Sequence, residues 1–296
     1  MAGTWYPAVP GALVRDVDGY LAAVDQEAIP RGRLDAVIAP HAGLMFSGPV
    51  GAYAYTAAAA HGPFDAVILA GPSHFVAFEG VALYPSGAFE SPLGPAPIDE
   101  RLGQALLDAS PFVRAMPAAH GREHSLEMQL PFIRRLLPEA AIVPLLMGYQ
   151  TRETIEDLAG ALIRVSGAPV SPKPLGEGGP KPTDESRRIL LVASTDLSHY
   201  FDAAKAETLD ARVQECVAAC DPERLLDIFE KYPEGERGRY VACGGGPAIA
   251  VMMAARARGA RHGRVLKYMH SGQISGDNSG VVGYLAGALG TFSNVH

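Results

Sequence analysis

Apolar residues recur along this chain in two alternating rhythms. Leu13, Val17, Leu21 and Val24 share one face of an amphipathic helix predicted over 12–28, and a short unbroken apolar run at 34–39 reads as a buried strand. A loop from Gly43 to Gly51 leads into an Ala-rich helix near 49–60, and a second strand is predicted at 65–70. Residues 80–98 are rich in Pro, Gly and Ser with short β-like pieces, the pattern of a hairpin or an extended excursion. A helix near 99–109 follows, then a helix opening at Glu123-His124-Ser125-Leu126-Glu127, a strand at 141–147 and a helix at 153–166. Five prolines and four glycines between 166 and 187 predict a surface loop. Strand 188–194, helices near 203–220 and 222–231, a helix after Cys243-Gly244-Gly245-Gly246-Pro247, and strands around 265–269 and 281–286 complete the series. Strand and helix alternate throughout, which predicts one α/β domain over 1–296 with a mixed or mostly parallel central sheet flanked by helices.

Composition fits that reading. Of the 296 residues, 48% are hydrophobic and 19% charged, enough to bury a large core. A formal charge of −7 and the lack of a basic patch argue against nucleic acid as a partner. No apolar stretch reaches the roughly 18 residues of a membrane span, so no membrane role is expected. Met1-Ala2-Gly3-Thr4-Trp5-Tyr6-Pro7 lacks the charged and apolar regions of a signal peptide. Three cysteines cannot close a disulfide framework, and the expectation is a reduced cytoplasmic protein. Cys216 and Cys220, four apart on a helical pattern, are expected to pack.

Polar chemistry gathers just past the strands. His41 follows the first run, His74 the second, Asp196 and His199 the strand ending at 194, and Cys243 the run Tyr240-Val241-Ala242. Open α/β sheets bind ligands at the carboxyl ends of their strands, so these residues are expected to converge. Imidazoles and a thiol at one edge would suit a transition metal. Asp196 could orient an imidazole or cap a helix, and His199 could act as acid or base. Cys243 precedes a predicted helix N-terminus, a setting that favours thiolate in general. The glycines after it lack the Lys-Ser/Thr of a P-loop and the spacing of a dinucleotide fingerprint. His124 and Glu127 share a helix face, either at the site's rim or in a capped, salt-bridged surface. His61, His120, His262, His270 and His296 stand outside any constellation.

Taken in order, Ala2-Gly-Thr-Trp-Tyr-Pro7, Ile38-Ala-Pro-His-Ala-Gly43, Gly71-Pro-Ser-His74, Glu123-His-Ser-Leu-Glu-Met128, Ser194-Thr-Asp-Leu-Ser-His199, Ala242-Cys-Gly244 and Val282-Gly-Tyr-Leu-Ala-Gly-Ala-Leu289 resemble the Memo family across nearly the whole chain. That family is similar in fold to the class III extradiol dioxygenases, whose iron is held by two histidines and a carboxylate. The resemblance implies His41 and His74 as metal ligands and Cys243 at the third position, where the dioxygenases carry glutamate. It implies His199 as the acid/base group with Asp196 in support. Trp5 would line a substrate pocket, and Phe46, His124 and Glu127 are assigned to it too. The resemblance implies Fe(II) as the metal, and a thiolate in place of a carboxylate softens the site and makes Cu or Zn alternatives. Thr195 and Leu197 stand where the family more often has Ser and Phe.

Three functions are compatible with this reading. The first is a metal-dependent oxidoreductase acting on a small molecule or modified peptide. The second is a non-catalytic metal- or peptide-binding protein, because prokaryotic Memo proteins often accompany a radical-SAM protein in the AmmeMemoRadiSam system. The third is metal-independent thiol chemistry with Cys243 as nucleophile.

Overall fold

The structure, a computed structural model, describes residues 1–167 and 187–293. The chain opens with helix α1 (Pro10–Ala22), strand β1 (Gly32–Ala39), helix α2 (Leu44–His61) and strand β2 (Ala66–Pro72). A short strand, β3 (Val81–Leu83), and the two-residue arms β4 (Ala88–Phe89) and β5 (Ala96–Pro97) of a small hairpin follow. Next come α3 (Glu100–Ala109), β6 (Val113–Ala115), α4 (Leu130–Leu136), β7 (Ala141–Met147) and α5 (Arg152–Ser166). Beyond the gap lie β8 (Ile189–Ser194), β9 (His199–Phe201), α6 (Ala203–Ala219), α7 (Pro222–Glu230), α8 (Glu234–Tyr240), α9 (Gly245–Ala257), β10 (His262–His270), α10 (Gly272–Ser275) and β11 (Val281–Phe292).

The central sheet runs β10-β11-β1-β8-β2-β7-β3-β6, with β9 added on β11. Its middle four strands, β1, β8, β2 and β7, are parallel, while β10, β11 and β3 join antiparallel. The sheet is therefore mixed, as the alternating pattern predicts. Its middle strands read as unbroken apolar runs because both faces are covered. On β1, Ala36 and Ile38 face a core shared with α5, α6, α7 and α9, whereas Leu34, Val37 and Ala39 face α1, α2 and α4. No helix among the described residues is long and apolar enough to cross a membrane.

Three sequence-based expectations change, and a fourth falls outside the described residues. The helix predicted over 12–28 ends at Ala22, and a separate 3-10 turn at Gln26–Ala28 starts where the Asp25 side chain accepts from the Glu27 amide. The loop predicted at 43–51 is already helix α2, with Pro49 inside it. Gly48 is there for contact, not flexibility: a Cβ would lie 2.5 Å from the Tyr20 ring of α1. The helix predicted to open at Glu123 begins only as a 3-10 turn at Glu127–Gln129 before α4. The predicted surface loop at 166–187 falls almost wholly on 168–186, outside the described residues, as does His296.

Candidate metal centre and pocket

The parallel strands present their carboxyl ends side by side, with Ala39 level with Ser194 and Ala70 level with Ala193. The turns that leave them carry His41, His74, Asp196 and His199 to one edge. Cys243 reaches the same edge from the N-terminus of α9. Here Gly244 matters, since a Cβ would lie 2.4 Å from the Ser194 carbonyl oxygen. Only glycine lets the chain press that closely on β8. The glycine run is thus a packing device, and Gln150 locks it by donating to the Cys243 carbonyl (2.7 Å) and accepting from the Gly246 amide (2.7 Å).

Hydrogen bonding sets the state of each imidazole. The Ser194 hydroxyl donates to the Ser125 carbonyl (2.6 Å) and accepts from the Gln129 amide (2.8 Å). Its one proton is used, so at 2.9 Å from His41 it accepts, and His41 Nδ1 carries the hydrogen. Nε2 is left as a bare lone pair facing Cys243 Sγ at 3.2 Å. Complete burial, and the nearby His74 charge, hold His41 neutral.

His74 has the same arrangement at the cavity's more open side. Its Nδ1 donates to Glu123 Oε1 at 2.9 Å and its backbone amide to Oε2 at 2.6 Å, which turns Nε2 away from the carboxylate. Burial works against its charge, yet hydrogen bonds to Cys243 and Glu123 carry the metal-free imidazolium up to about 10. Glu123 also accepts from the His124 and Ser125 amides. Burial opposes its ionisation, but the bond to His74 holds it down at about 2.

His124 stacks between Trp5 (4.2 Å between centroids) and His74 (4.5 Å). Its Nδ1 lies 3.3 Å from Glu123 Oε1 but off line, leaving this buried nitrogen without a hydrogen-bond partner. One ring nitrogen from each of His41, His74 and His124 falls within 4.8 Å of the others. Burial and the His74 charge push His124 down to about 4.

Asp196 supports the other histidine than expected. Its Oδ1 accepts from the His41 amide at 2.8 Å, and its own amide donates to Cys243 Sγ at 3.3 Å. Burial raises it to about 7 against the pull of that His41 amide. His199 is oriented instead by the Leu197 carbonyl, which accepts from Nδ1 at 2.7 Å. Burial lowers the pKa of His199.

The cavity these residues line measures about 440 Å³ and includes Trp5, Tyr200, Arg239 and Val282. Trp5 is fixed there because its carbonyl accepts from the Leu44 amide at the start of α2. Phe46 and Glu127 do not line it. Phe46 faces a neighbouring recess in which Trp5 is the shared wall. Glu127 accepts from the Tyr6 hydroxyl and the Met1 amine. Glu123, Ser194 and Gln129, which orient the imidazoles, carry no signal of that role in the sequence beyond Glu123's place beside His124. Cys216 and Cys220 are buried and free, far up the thiol range for want of solvation.

The arrangement fits a metal. Nδ1 of His41 and of His74 is each taken by an internal acceptor, a thiol sulfur stands 3.2 Å from His41 Nε2, and the Glu123 carboxylate backs His74 as carboxylates back metal-bound histidines. The Memo-like protein family model matches residues 1–288. A MEMO1 family protein of Methanopyrus kandleri is 33% identical over 97% of this chain and 96% of its own length. One from Methanothermobacter thermautotrophicus is 33% identical over 96% of each. An uncharacterized Escherichia coli K12 protein of known structure shares the fold at TM-score 0.59 and 13% identity, covering 87% of this chain and all of that one. With both the family model and these relatives spanning almost its entire length, the chain belongs to the Memo family.

Proposed function

We propose that this protein is a metal-dependent oxidoreductase whose ion is held by His41, His74 and Cys243 and whose substrate is a small molecule or modified peptide. The observation that carries this reading is the shared direction of the donors. His41 and His74 each spend Nδ1 on an internal acceptor, and a thiol sulfur lies 3.2 Å from the free His41 Nε2. A mixed nitrogen and sulfur set favours iron or copper, with zinc as the redox-inert competitor. A bound iron or copper would supply electron transfer and a Lewis-acid position beside the cavity. The chain's own groups would do the rest. His199 holds and moves a proton from the cavity wall, Asp196 fixes the His41 and Cys243 backbones, and Trp5 with His124 limits water.

His124 offers a competing donor in place of sulfur. Anaerobic titration of metal-free protein with Fe(II), and separately with Cu(I), distinguishes the two sets. Cys243→Ala and His74→Ala are expected to lose stoichiometric binding while His124→Ala keeps it. Retention by Cys243→Ala with loss in His124→Ala would replace the thiolate with an all-histidine site. Full binding by all three variants would overturn the site itself.

A further inference from the structure

The turn that carries Asp196 and His199 is held from behind by a residue outside the cavity. After β8 the chain folds back onto β11. The Leu197 amide donates to the Gly283 carbonyl (2.8 Å), and the Gly283 amide donates to the Ser198 carbonyl (3.0 Å). His199 then pairs with Val282 as β9 begins. The Ser198 amide takes no part in this pairing. It donates to Oδ1 of Asp210, on α6, at 2.9 Å.

Asp210 is fully buried and does not line the cavity. A carboxylate so placed is costly unless donors offset its lost water. Two further strands supply a donor and the room. The Tyr268 hydroxyl of β10 donates to Oδ2 at 2.8 Å. On β11, Gly283 leaves the space that the carboxylate fills, since a Cβ there would lie 2.0 Å from Oδ2. One helix and two strands thus build a niche around a single acidic side chain.

The link from that niche to the site is one peptide group. The Ser198 N–H and the Leu197 C=O belong to the same planar unit and point in opposite directions. Asp210 holds the N–H end. The C=O end accepts from His199 Nδ1 at 2.7 Å. Rotating this plane would break both bonds together, so the carboxylate that fixes one end aims the other. Tyr268, Asp210, the peptide and the His199 ring form a continuous hydrogen-bonded chain, in which each bond polarises the next.

We propose that Asp210 is a positioning residue for His199. By gripping the N–H end of the Leu197–Ser198 peptide, it directs the carbonyl at Nδ1 and so sets the ring's tautomer and direction. Tyr268 and Gly283 keep the carboxylate in that place. The proton-moving role of His199 rests on the proposed function, whereas its orientation by Asp210 is tested on metal-free protein.

The full chain, labelled with nitrogen-15 in its histidine rings, is measured by NMR at about pH 8, above the ordinary histidine pKa. Ring nitrogen shifts report which nitrogen carries the hydrogen, and His199→Gln assigns the signal. Wild type is expected to show His199 as a single Nδ1–H tautomer. Asp210→Ala is expected to lose that state and populate both tautomers. His120, whose ring bonds the Ala82 carbonyl, is expected to keep its signals in the same variant. Asp210→Asn, whose amide oxygen can accept the same N–H, is expected to restore the wild-type His199 signals. If Asp210→Ala does not fold, Asp210→Glu takes its place. Its carboxylate sits one methylene further out and is expected to shift the His199 signals alone. Mixed tautomers already in wild type overturn the proposal, as do unchanged His199 signals in Asp210→Ala or Asp210→Glu. Loss of the tautomer in Asp210→Asn, or a joint shift of His199 and His120, overturns it too. Since no metal is present, none of these outcomes bears on the ligand assignment, which is decided by the Cys243 and His74 variants.

Discussion

Glu123 organises more of the site than any proposed ligand. One buried carboxylate receives the amides of His74, His124 and Ser125 together with His74 Nδ1. Glu123→Gln is expected to weaken metal binding by about 10- to 100-fold, as loss of the carboxylate behind a metal-bound histidine does, without removing a ligand. Isothermal titration of the variant checks this, and unchanged affinity would refute it. That role was not legible from the sequence. His41, His74 and Cys243 stand out because each follows an apolar run, whereas Glu123 acts through backbone amides that only the folded turn brings together. The same blindness explains Asp196, whose neighbour in sequence is His199 but whose partner in space is the His41 amide. His120 supplies a test away from the ligands. Burial lowers it from 6.5 to about 4, against the pull of the Ala82 carbonyl and the Glu123 charge. The unfolded chain therefore takes up this proton below 6.5 while the folded one resists until about 4. Stability contributed by the neutral ring is full above 6.5 and is lost as pH falls toward 4, by at most about 3 kcal/mol. Urea midpoints at pH 7 and 4.5 should fall further for wild type than for His120→Gln. Parallel declines would contradict it.

At the scale of elements, the N-terminus of α9 decides where the sulfur sits. Gly244→Ala would drive a Cβ against the Ser194 carbonyl, which belongs to a central strand and cannot yield as a side-chain tip could. The expected cost is about 1–3 kcal/mol, with loss of the Cys243–His41 approach. Gly235→Ala, with nothing within 4 Å of the added carbon, is the control and should be neutral. Thermal unfolding compares the pair, and equal midpoints would show that α9 does not depend on this contact. The long elements were legible because β1, β2, β7 and β8 are uninterrupted apolar runs. β6 and β9 were not, since three residues cannot show a period, and β9 exists by pairing with β11, some 80 positions on. Helix α2 was read as starting late because Gly48 and Pro49 look like loop residues. Their meaning comes from the Tyr20 ring packed against Gly48.

For the whole molecule, the alternation of strand and helix foretold a layered α/β fold, but strand order could not be read from it. That order is what matters. Placing β8 between β1 and β2 brings the 194–199 turn between the two histidine turns, and α9 then delivers Cys243 from more than 200 residues beyond His41. We propose that sulfur and two imidazoles share one ion. X-ray absorption at the metal edge of Fe(II)- or Cu(I)-reconstituted protein tests it most directly. One sulfur scatterer is expected at about 2.3 Å beside nitrogen scatterers, abolished in Cys243→Ala. A first shell of nitrogen and oxygen alone, identical in wild type and variant, would contradict it.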